Sequence, residues 1–215
     1  AAKNSGDTQK AAEKVSRYIN AAIKRVAIHE PLQKREIDIC PDVLVIGAGP
    51  AALKTALSIA EAGRKVAIVE KTSVIGGMPV RYEEIFPNME CGPCMLEPMI
   101  GDAMHGEYAE NIELLTLSEV IEVVGSYGNF IIKIRKSPRY LDAHQCIGCG
   151  ECVSVCPATI KNEFNCGLNE RKAIDFPFIG AIPNAPFVDA NACLRLKGEA
   201  CRACIDACPI GEGLF

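Results

Sequence analysis

Two cysteine-rich blocks in the second half of the chain constrain its fold more than any other feature. They read "CIGCGECVSVCP" from position 146 and "CLRLKGEACRACIDACP" from position 193. The first block has the C-x2-C-x2-C-x3-C-P spacing, in which three thiolates hold one [4Fe–4S] cluster and the fourth reaches a second cluster. The second block is a looser repeat of this pattern. Together the blocks predict a small module that folds around two [4Fe–4S] clusters.

Reciprocal ligation assigns each cysteine of the blocks to one of two ligand sets. The first set is Cys146, Cys149, Cys152 and Cys208, and the second set is Cys193, Cys201, Cys204 and Cys156. Zinc explains the blocks less well, because an all-thiolate zinc site needs only four cysteines and has no use for a reciprocal arrangement. Since each block supplies a ligand to the other block's cluster, ligation would hold the two halves together.

The first half of the chain contains a glycine-rich turn between two apolar strands, in "VLVIGAGPAALKTALSIAEAGRKVAIVEK". Gly47 permits a tight turn, Gly49 lets the backbone approach a pyrophosphate, and Ala52 lets the helix pack closely on the strand. The continuous apolar strand before the turn favours a parallel sheet that is buried on both faces. This segment predicts a nucleotide-binding βαβ unit.

The residues after the second strand favour FAD as the nucleotide. Glu70 ends that strand, where an acidic side chain can accept hydrogen bonds from an adenosine ribose, and Lys71 follows it. Gly76 and Gly77 come next in "SVIGG", which is closer to FAD-binding domains of disulfide reductases than to dehydrogenases. NAD and a nucleotide fold without a ligand are the alternatives.

The sequence divides into three predicted segments. Residues 1–40 form an amphipathic helix, with apolar residues at helical spacing over 8–28, and a linker. Residues 41–138 form the first part of the FAD-binding domain, in which 112–136 make a strand and then a hairpin around "GSYGN". Residues 139–215 form the cysteine module. The predicted fold class is α/β, a partial doubly wound FAD-binding domain with a ferredoxin-like α+β module.

Four cysteines lie outside the blocks. For Cys91 and Cys94, in "NMECGPCML", three roles are open: half of a third cluster site, a redox-active disulfide beside the flavin, or a structural pair. Cys40 is expected to be a buried structural thiol, and Cys166 an ordinary thiol.

Composition narrows the classes of function. The formal net charge of −4 and the lack of Lys/Arg blocks predict no basic surface for nucleic-acid binding. No uncharged apolar run is long enough to span a membrane, and the first residues do not form a signal peptide. Cysteines at metal-ligand spacing fit a reducing compartment, so we expect a cytoplasmic protein.

Several segments taken in order resemble the A subunit of heterodisulfide reductase. They are the glycine-turn segment, "IGG", "FPNMECGPCML", "NIELLTLSEVIEVVGSYGNF", "KSPRY" and "NEFNCGLNERKAI", which together with the cysteine blocks span nearly the whole chain. The resemblance implies a thioredoxin-reductase-like FAD domain into which a ferredoxin module is inserted. It also implies electron bifurcation at the FAD, between a disulfide-type acceptor and low-potential ferredoxin. The implied partners are disulfide-reductase-type and hydrogenase- or dehydrogenase-type subunits of a hetero-oligomer.

Two other functions compete with this one. The chain is a ferredoxin-like electron carrier if the nucleotide fold holds no flavin, or one component of a flavin-dependent NAD(P)H oxidoreductase if a partner supplies a nicotinamide site. An NAD(P)H oxidoreductase requires another GxGxxG turn after a strand, which this sequence lacks.

Overall fold

The computed structural model describes residues 8–34, 36–82 and 84–211. The chain divides into two compact units, Ala1–Asp38 and Ile39–Phe215. Among the described residues, no helix is both long enough and apolar enough to cross a membrane.

The first unit contains one long helix, α1 (Thr8–Ala27). Val15, Ile19, Ile23 and Val26 recur at a spacing of three or four residues and form an apolar stripe, as the sequence predicts. All four side chains are more than half exposed. Lys24 and Arg25 lie in the last turn of α1, where cations interact favourably with the helix dipole.

The second unit begins with a nucleotide-binding α/β fold. Its elements are β1 (Val43–Ile46), α2 (Pro50–Glu61), β2 (Val66–Val69), the short strands β3 (Glu84–Ile85) and β4 (Glu90–Cys91), α3 (Gly92–His105) and β5 (Ile112–Leu115). β1, β2 and β5 form a parallel sheet in the order β1-β2-β5. Leu53 and Ala56 of α2 pack against Val66 and Ile68 of β2 in the core. The predicted strand-helix-strand unit is confirmed.

A two-stranded hairpin follows, formed by β6 (Ser118–Ser126) and β7 (Asn129–Lys136). The strands are antiparallel, with an irregularity between Val120 and Glu122, and Gly128 lies in the turn. Ile132 and Ile134 are half-buried while their neighbours on β7 are exposed. The alternation that the sequence shows in this segment is therefore present, and the predicted hairpin is confirmed.

The cysteine module is built from short elements. These are α4 (Glu151–Ser154), β8 (Thr159–Lys161), β9 (Glu170–Lys172), β10 (Ile174–Asp175), β11 (Phe187–Val188) and α5 (Ala203–Asp206). β8 pairs with β9 and β10 with β11, both antiparallel. The two short helices lie next to each other, so the first cysteine block meets the second across the module. The predicted α+β module is confirmed.

Arg171 is buried and connects two segments of this module that lie outside the cysteine blocks. The guanidinium of Arg171 donates two hydrogen bonds of 2.7 Å to the carboxylate of Glu163 and one of 3.0 Å to Asp189. It also lies 4.9 Å from the ring centre of Phe187. The backbone N–H of Cys193 donates to the carbonyl of Asp189, so Arg171 supports the start of the second cysteine block.

We expect Arg171→Met to lower the free energy of unfolding by about 2 kcal/mol, because it leaves the partly buried carboxylate of Asp189 without its partner and also breaks the pair with the exposed Glu163. Urea unfolding under anaerobic conditions measures this loss. The matched control is Arg135→Gln, which breaks an exposed pair with Glu119 and should cost less than about 1 kcal/mol. Equal effects of the two substitutions would contradict this account of the module.

Candidate cofactor sites

The glycine-rich turn after β1 has the backbone geometry of a nucleotide-binding loop. Gly47 has a φ of +89°, and its N–H donates a 2.7 Å hydrogen bond to the carbonyl of Val69. Gly49 is the N-cap of α2, and Pro50 occupies the first turn, where its missing N–H costs nothing. A methyl group added at Gly47 would meet no atom within 4 Å. The turn therefore has open space at Gly47, next to the helix N-terminus where an anionic pyrophosphate is expected to bind.

The second glycine pair closes against this turn. The N–H of Gly76 donates a 2.8 Å hydrogen bond to the carbonyl of Ala48. Gly77 has a φ of +67°, and a methyl group added there would lie 2.9 Å from the Cα of Gly49. Only glycine allows the two backbones to approach this closely. The structure thus brings Gly47, Gly49, Gly76 and Gly77 together.

The carboxylate of Glu70 ties the two loops to the sheet. It is buried and accepts hydrogen bonds from the N–H of Ala48 at 2.8 Å and from the N–H of Thr72 at 2.7 Å. The hydroxyl of Thr72 donates a further bond of 2.8 Å. Each carboxylate oxygen can accept more than one bond, so these contacts leave capacity for a ribose hydroxyl. The sequence pattern indicated Glu70 but not Thr72, whose role follows only from the loop's geometry.

Lys71 points to a different set of partners. Its ammonium donates a 3.0 Å hydrogen bond to the exposed carboxylate of Glu119, which also accepts a bond of 2.6 Å from Arg135. The hydrogen bonds from Lys71 and then Arg135 hold the pKa of Glu119 below its usual value. A contribution of Lys71 to FAD binding stays a prediction.

The cysteines of the first predicted ligand set line one cavity. They are Cys146, Cys149, Cys152 and Cys208. Apolar side chains complete the wall, among them Ile147, Pro186 and Ile210. Burial, and then the neighbouring Cys146, Cys149 and Cys204, raise the pKa of the Cys152 thiol to about 12. The Sγ of Cys146 accepts a 3.4 Å hydrogen bond from the N–H of Gly148.

The cysteines of the second set line a separate cavity of about 200 Å³. They are Cys156, Cys193, Cys201 and Cys204. Burial, and then Cys193, Cys156 and Cys201, raise the pKa of the Cys204 thiol. Cys156 of the first block therefore lies with the second block, and Cys208 of the second block lies with the first. Ligation of iron by these sets stays a prediction, but the exchange of cysteines that it requires is present in the fold.

Cys91 and Cys94 form a disulfide bond at the start of α3. Cys91 is the N-cap of that helix, and its Sγ accepts a 3.3 Å hydrogen bond from the N–H of Cys94. A methyl group added at Gly92 would overlap the carbonyl oxygen of Pro79, so the pair is held against the segment that follows Gly77. Cys94 also lines a cavity of about 450 Å³ whose wall includes Phe178 and Ile182 of the cysteine module.

The two remaining cysteines are both exposed. The expectation of a buried thiol at Cys40 is therefore wrong. Its backbone N–H donates a 2.9 Å hydrogen bond to the carbonyl of Gly128 in the hairpin turn, and its side chain lies at the surface. Cys166 lies in a turn with a φ of +53°, and its assignment as an ordinary thiol stays a prediction.

Two family models match separate parts of the chain. A family model described as FAD dependent oxidoreductase matches residues 42–82, and one described as 4Fe-4S binding domain matches residues 139–158. The chain therefore carries an FAD-binding segment and an iron–sulfur segment. Among solved structures, thioredoxin reductase of T. acidophilum is 24% identical, covers 44% of this chain and 31% of its own, and has a TM-score of 0.36.

Curated relatives match nearly the whole chain. A protein of Archaeoglobus profundus that is named for its likeness to the A subunit of heterodisulfide reductase is 42% identical over 90% of this chain and 27% of the relative. The A subunit of ferredoxin:CoB-CoM heterodisulfide reductase of Methanosarcina acetivorans is 41% identical over 94% of this chain and 25% of the relative. The A subunit of H(2):CoB-CoM heterodisulfide,ferredoxin reductase of Methanothermobacter thermautotrophicus is 38% identical over 95% of this chain and 30% of the relative. The chain is thus a relative of the A subunit of heterodisulfide reductase, and it spans between a quarter and a third of the length of these proteins.

Proposed function

We propose that this chain holds one FAD and two [4Fe–4S] clusters and transfers electrons between them, as an oxidoreductase component of the heterodisulfide reductase type. The observation that carries the proposal is the pair of cavities, each lined by four cysteines drawn from both blocks. They lie in the same compact unit as the glycine turns. We propose residues 41–138 as the FAD-binding part, residues 139–215 as the cluster module and residues 1–40 as a helix with a linker.

The donor sets fit these cofactors. Four thiols per cavity are the ligand set of a [4Fe–4S] cluster, and apolar side chains form much of each wall. We propose that the turn at Gly47 and Gly49 receives a pyrophosphate, and that Glu70 accepts a bond from a ribose in addition to its bonds from Ala48 and Thr72. When bound, a flavin exchanges electrons in pairs or singly and a cluster exchanges them singly. The chain's own residues fix the positions and the charges around both.

We extend this proposal to the electron acceptors and the partner subunits. Two of the relatives' names combine a heterodisulfide with ferredoxin. We therefore propose flavin-based bifurcation between a disulfide-type acceptor and low-potential ferredoxin, within a hetero-oligomer that includes disulfide-reductase-type and hydrogenase- or dehydrogenase-type subunits. Cysteines at metal-ligand spacing suit a reducing compartment, so we propose the cytoplasm as its location.

For Cys91 and Cys94 we propose a redox role rather than a third cluster site. A disulfide can take two electrons and two protons from reduced flavin, which breaks the S–S bond and leaves two thiols. Sulfurs bonded to each other cannot at the same time be cluster thiolates. Gly92, between the two cysteines, lies against the carbonyl of Pro79, and Cys94 lines the cavity that reaches the cysteine module.

Replacement of both cysteines by serine separates these roles. If the pair is a dithiol centre, the Cys91→Ser/Cys94→Ser variant keeps the native iron content and takes up about two electrons fewer per chain in an anaerobic titration. If the pair holds a third cluster, the native protein contains about twelve irons per chain and the variant about eight. If both the electron count and the iron content were unchanged, the pair would be structural, and the redox role would be contradicted.

The proposed function is tested by coulometric titration of the protein purified anaerobically with its natural partners, from which the electron uptake of the separated partners is subtracted. The two clusters and the flavin should accept about four electrons per chain, apart from those of the cysteine pair. The competing function, an electron carrier without flavin, has one structural observation in its favour. Within the described residues β1 pairs only with β2, so the sheet that supports the glycine turn is narrow. That alternative predicts about two electrons per chain and no flavin absorbance.

A further inference from the structure

Arg139 connects the glycine-turn fold to the cysteine module. It lies between β7 and the first cysteine block, and its guanidinium is half-buried. One terminal nitrogen donates to the carbonyls of Ala185 at 3.0 Å and Pro186 at 3.3 Å. The other donates to the carbonyl of Ser73 at 2.5 Å and to the hydroxyl of Thr116 at 3.2 Å.

These four acceptors belong to two functional regions. Ser73 lies in the loop between Glu70 and Gly76, and Thr116 follows β5 of the parallel sheet. Pro186 is buried and lines the cavity of the first cysteine set. The planar guanidinium can satisfy several acceptors in fixed directions, so it holds the loop between the glycines and the wall of this cavity in one arrangement.

The charge of Arg139 has no carboxylate among these partners. All four acceptors are neutral carbonyl or hydroxyl oxygens. Burial lowers the pKa of Arg139. Its acceptor Pro186 lines the cavity of the first set, so the guanidinium lies beside that cavity. Arginine stays protonated in proteins, so a positive charge persists beside this cavity. A cluster with four thiolate ligands becomes more negative when it is reduced, and a fixed positive charge in a poorly solvated site favours that state.

We propose that Arg139 is a positioning residue that raises the reduction potential of the cluster in the first cysteine set while it docks that set against the glycine-turn loop. This inference rests on the proposed function, because it requires a cluster in that cavity. It predicts that the two clusters differ in reduction potential, which the cysteine spacing alone does not predict.

The test compares variants that neutralise the charge in two ways. Arg139→Gln removes the guanidinium, whereas Thr116→Asp keeps it and places a carboxylate within reach, with Thr116→Asn as the matched neutral control. Arg135→Gln controls for loss of a surface charge. Each variant is made in the complete protein, purified anaerobically, assayed for iron and flavin, and titrated potentiometrically with EPR detection of both clusters.

We expect Arg139→Gln and Thr116→Asp to lower the midpoint potential of one of the two clusters by about 59 mV. At a fixed potential, the reduced-to-oxidised ratio of that cluster then falls about tenfold. Thr116→Asn and Arg135→Gln should change the reduced-to-oxidised ratio of either cluster by less than about twofold. If Arg139→Gln fails to retain iron, the Thr116→Asp and Thr116→Asn pair decides. Equal midpoints in that pair, or an equal shift in Arg135→Gln, would overturn the inference. Absence of clusters from the native protein would instead refute the proposed function.

Discussion

Cys208→Ala is expected to abolish the same cluster signal as Cys149→Ala, although the two residues belong to different blocks. Both line the first cavity, and loss of one thiolate leaves an iron without its protein ligand. Iron should fall from about eight to about four per chain, and one of two EPR signals should disappear. The measurement is iron quantification together with EPR of the reduced protein.

The exchange of ligands between the blocks makes this prediction specific. Cys156→Ala should abolish the other signal, because Cys156 lies with Cys201 and Cys204 in the second cavity. Cys166→Ala is the matched control, since Cys166 is exposed and lies in neither cavity. If Cys208→Ala and Cys201→Ala removed the same signal, each block would hold its own cluster, and the reciprocal arrangement would be wrong.

Gly77→Ala is expected to weaken FAD binding by tenfold or more. The added methyl group would lie 2.9 Å from the Cα of Gly49, and residue 77 has a φ of +67° that is strained for alanine. Strain of this kind costs on the order of 1–3 kcal/mol, and relief of the clash must move the loop away from the glycine turn. Bound FAD after gel filtration and the dissociation constant from flavin fluorescence measure the effect.

A second glycine provides the control for this substitution. Gly101 lies within α3, and a methyl group added there would meet no atom within 4 Å. Gly101→Ala should therefore keep the native FAD content and add helix propensity. Native FAD affinity in Gly77→Ala would mean that the close approach of the two glycine loops does not form the binding site.

The sequence predicts those parts of this molecule that follow from periodicity and spacing. The strand-helix-strand unit and the hairpin were predictable because each has an apolar pattern of the right period. The two cysteine sets were predictable because the C-x2-C-x2-C-x3-C-P spacing sends the fourth cysteine of each block to the other block's cluster. The structure brings each set to one cavity, while binding of the clusters stays a prediction.

Other features could not be predicted because they depend on contacts between distant segments. Arg139 joins Ser73 to Pro186, and Arg171 joins Glu163 to Asp189, yet a single arginine has no sequence pattern that identifies its partners. The exposure of Cys40 depends on how its backbone meets the hairpin turn, whereas the expectation of burial rested only on the usual preference of cysteine. The disulfide between Cys91 and Cys94 was one of three open roles.

The central claim, that one chain combines a flavin with two clusters, is tested most directly by chemical analysis of the native protein. The protein is purified anaerobically with its partners, and iron, acid-labile sulfide, zinc and FAD are quantified per copy of this chain after the content of the separated partners is subtracted. We predict about eight irons, about eight sulfides and about one FAD, without stoichiometric zinc. Zinc in place of iron, or about eight irons without flavin, would contradict the account.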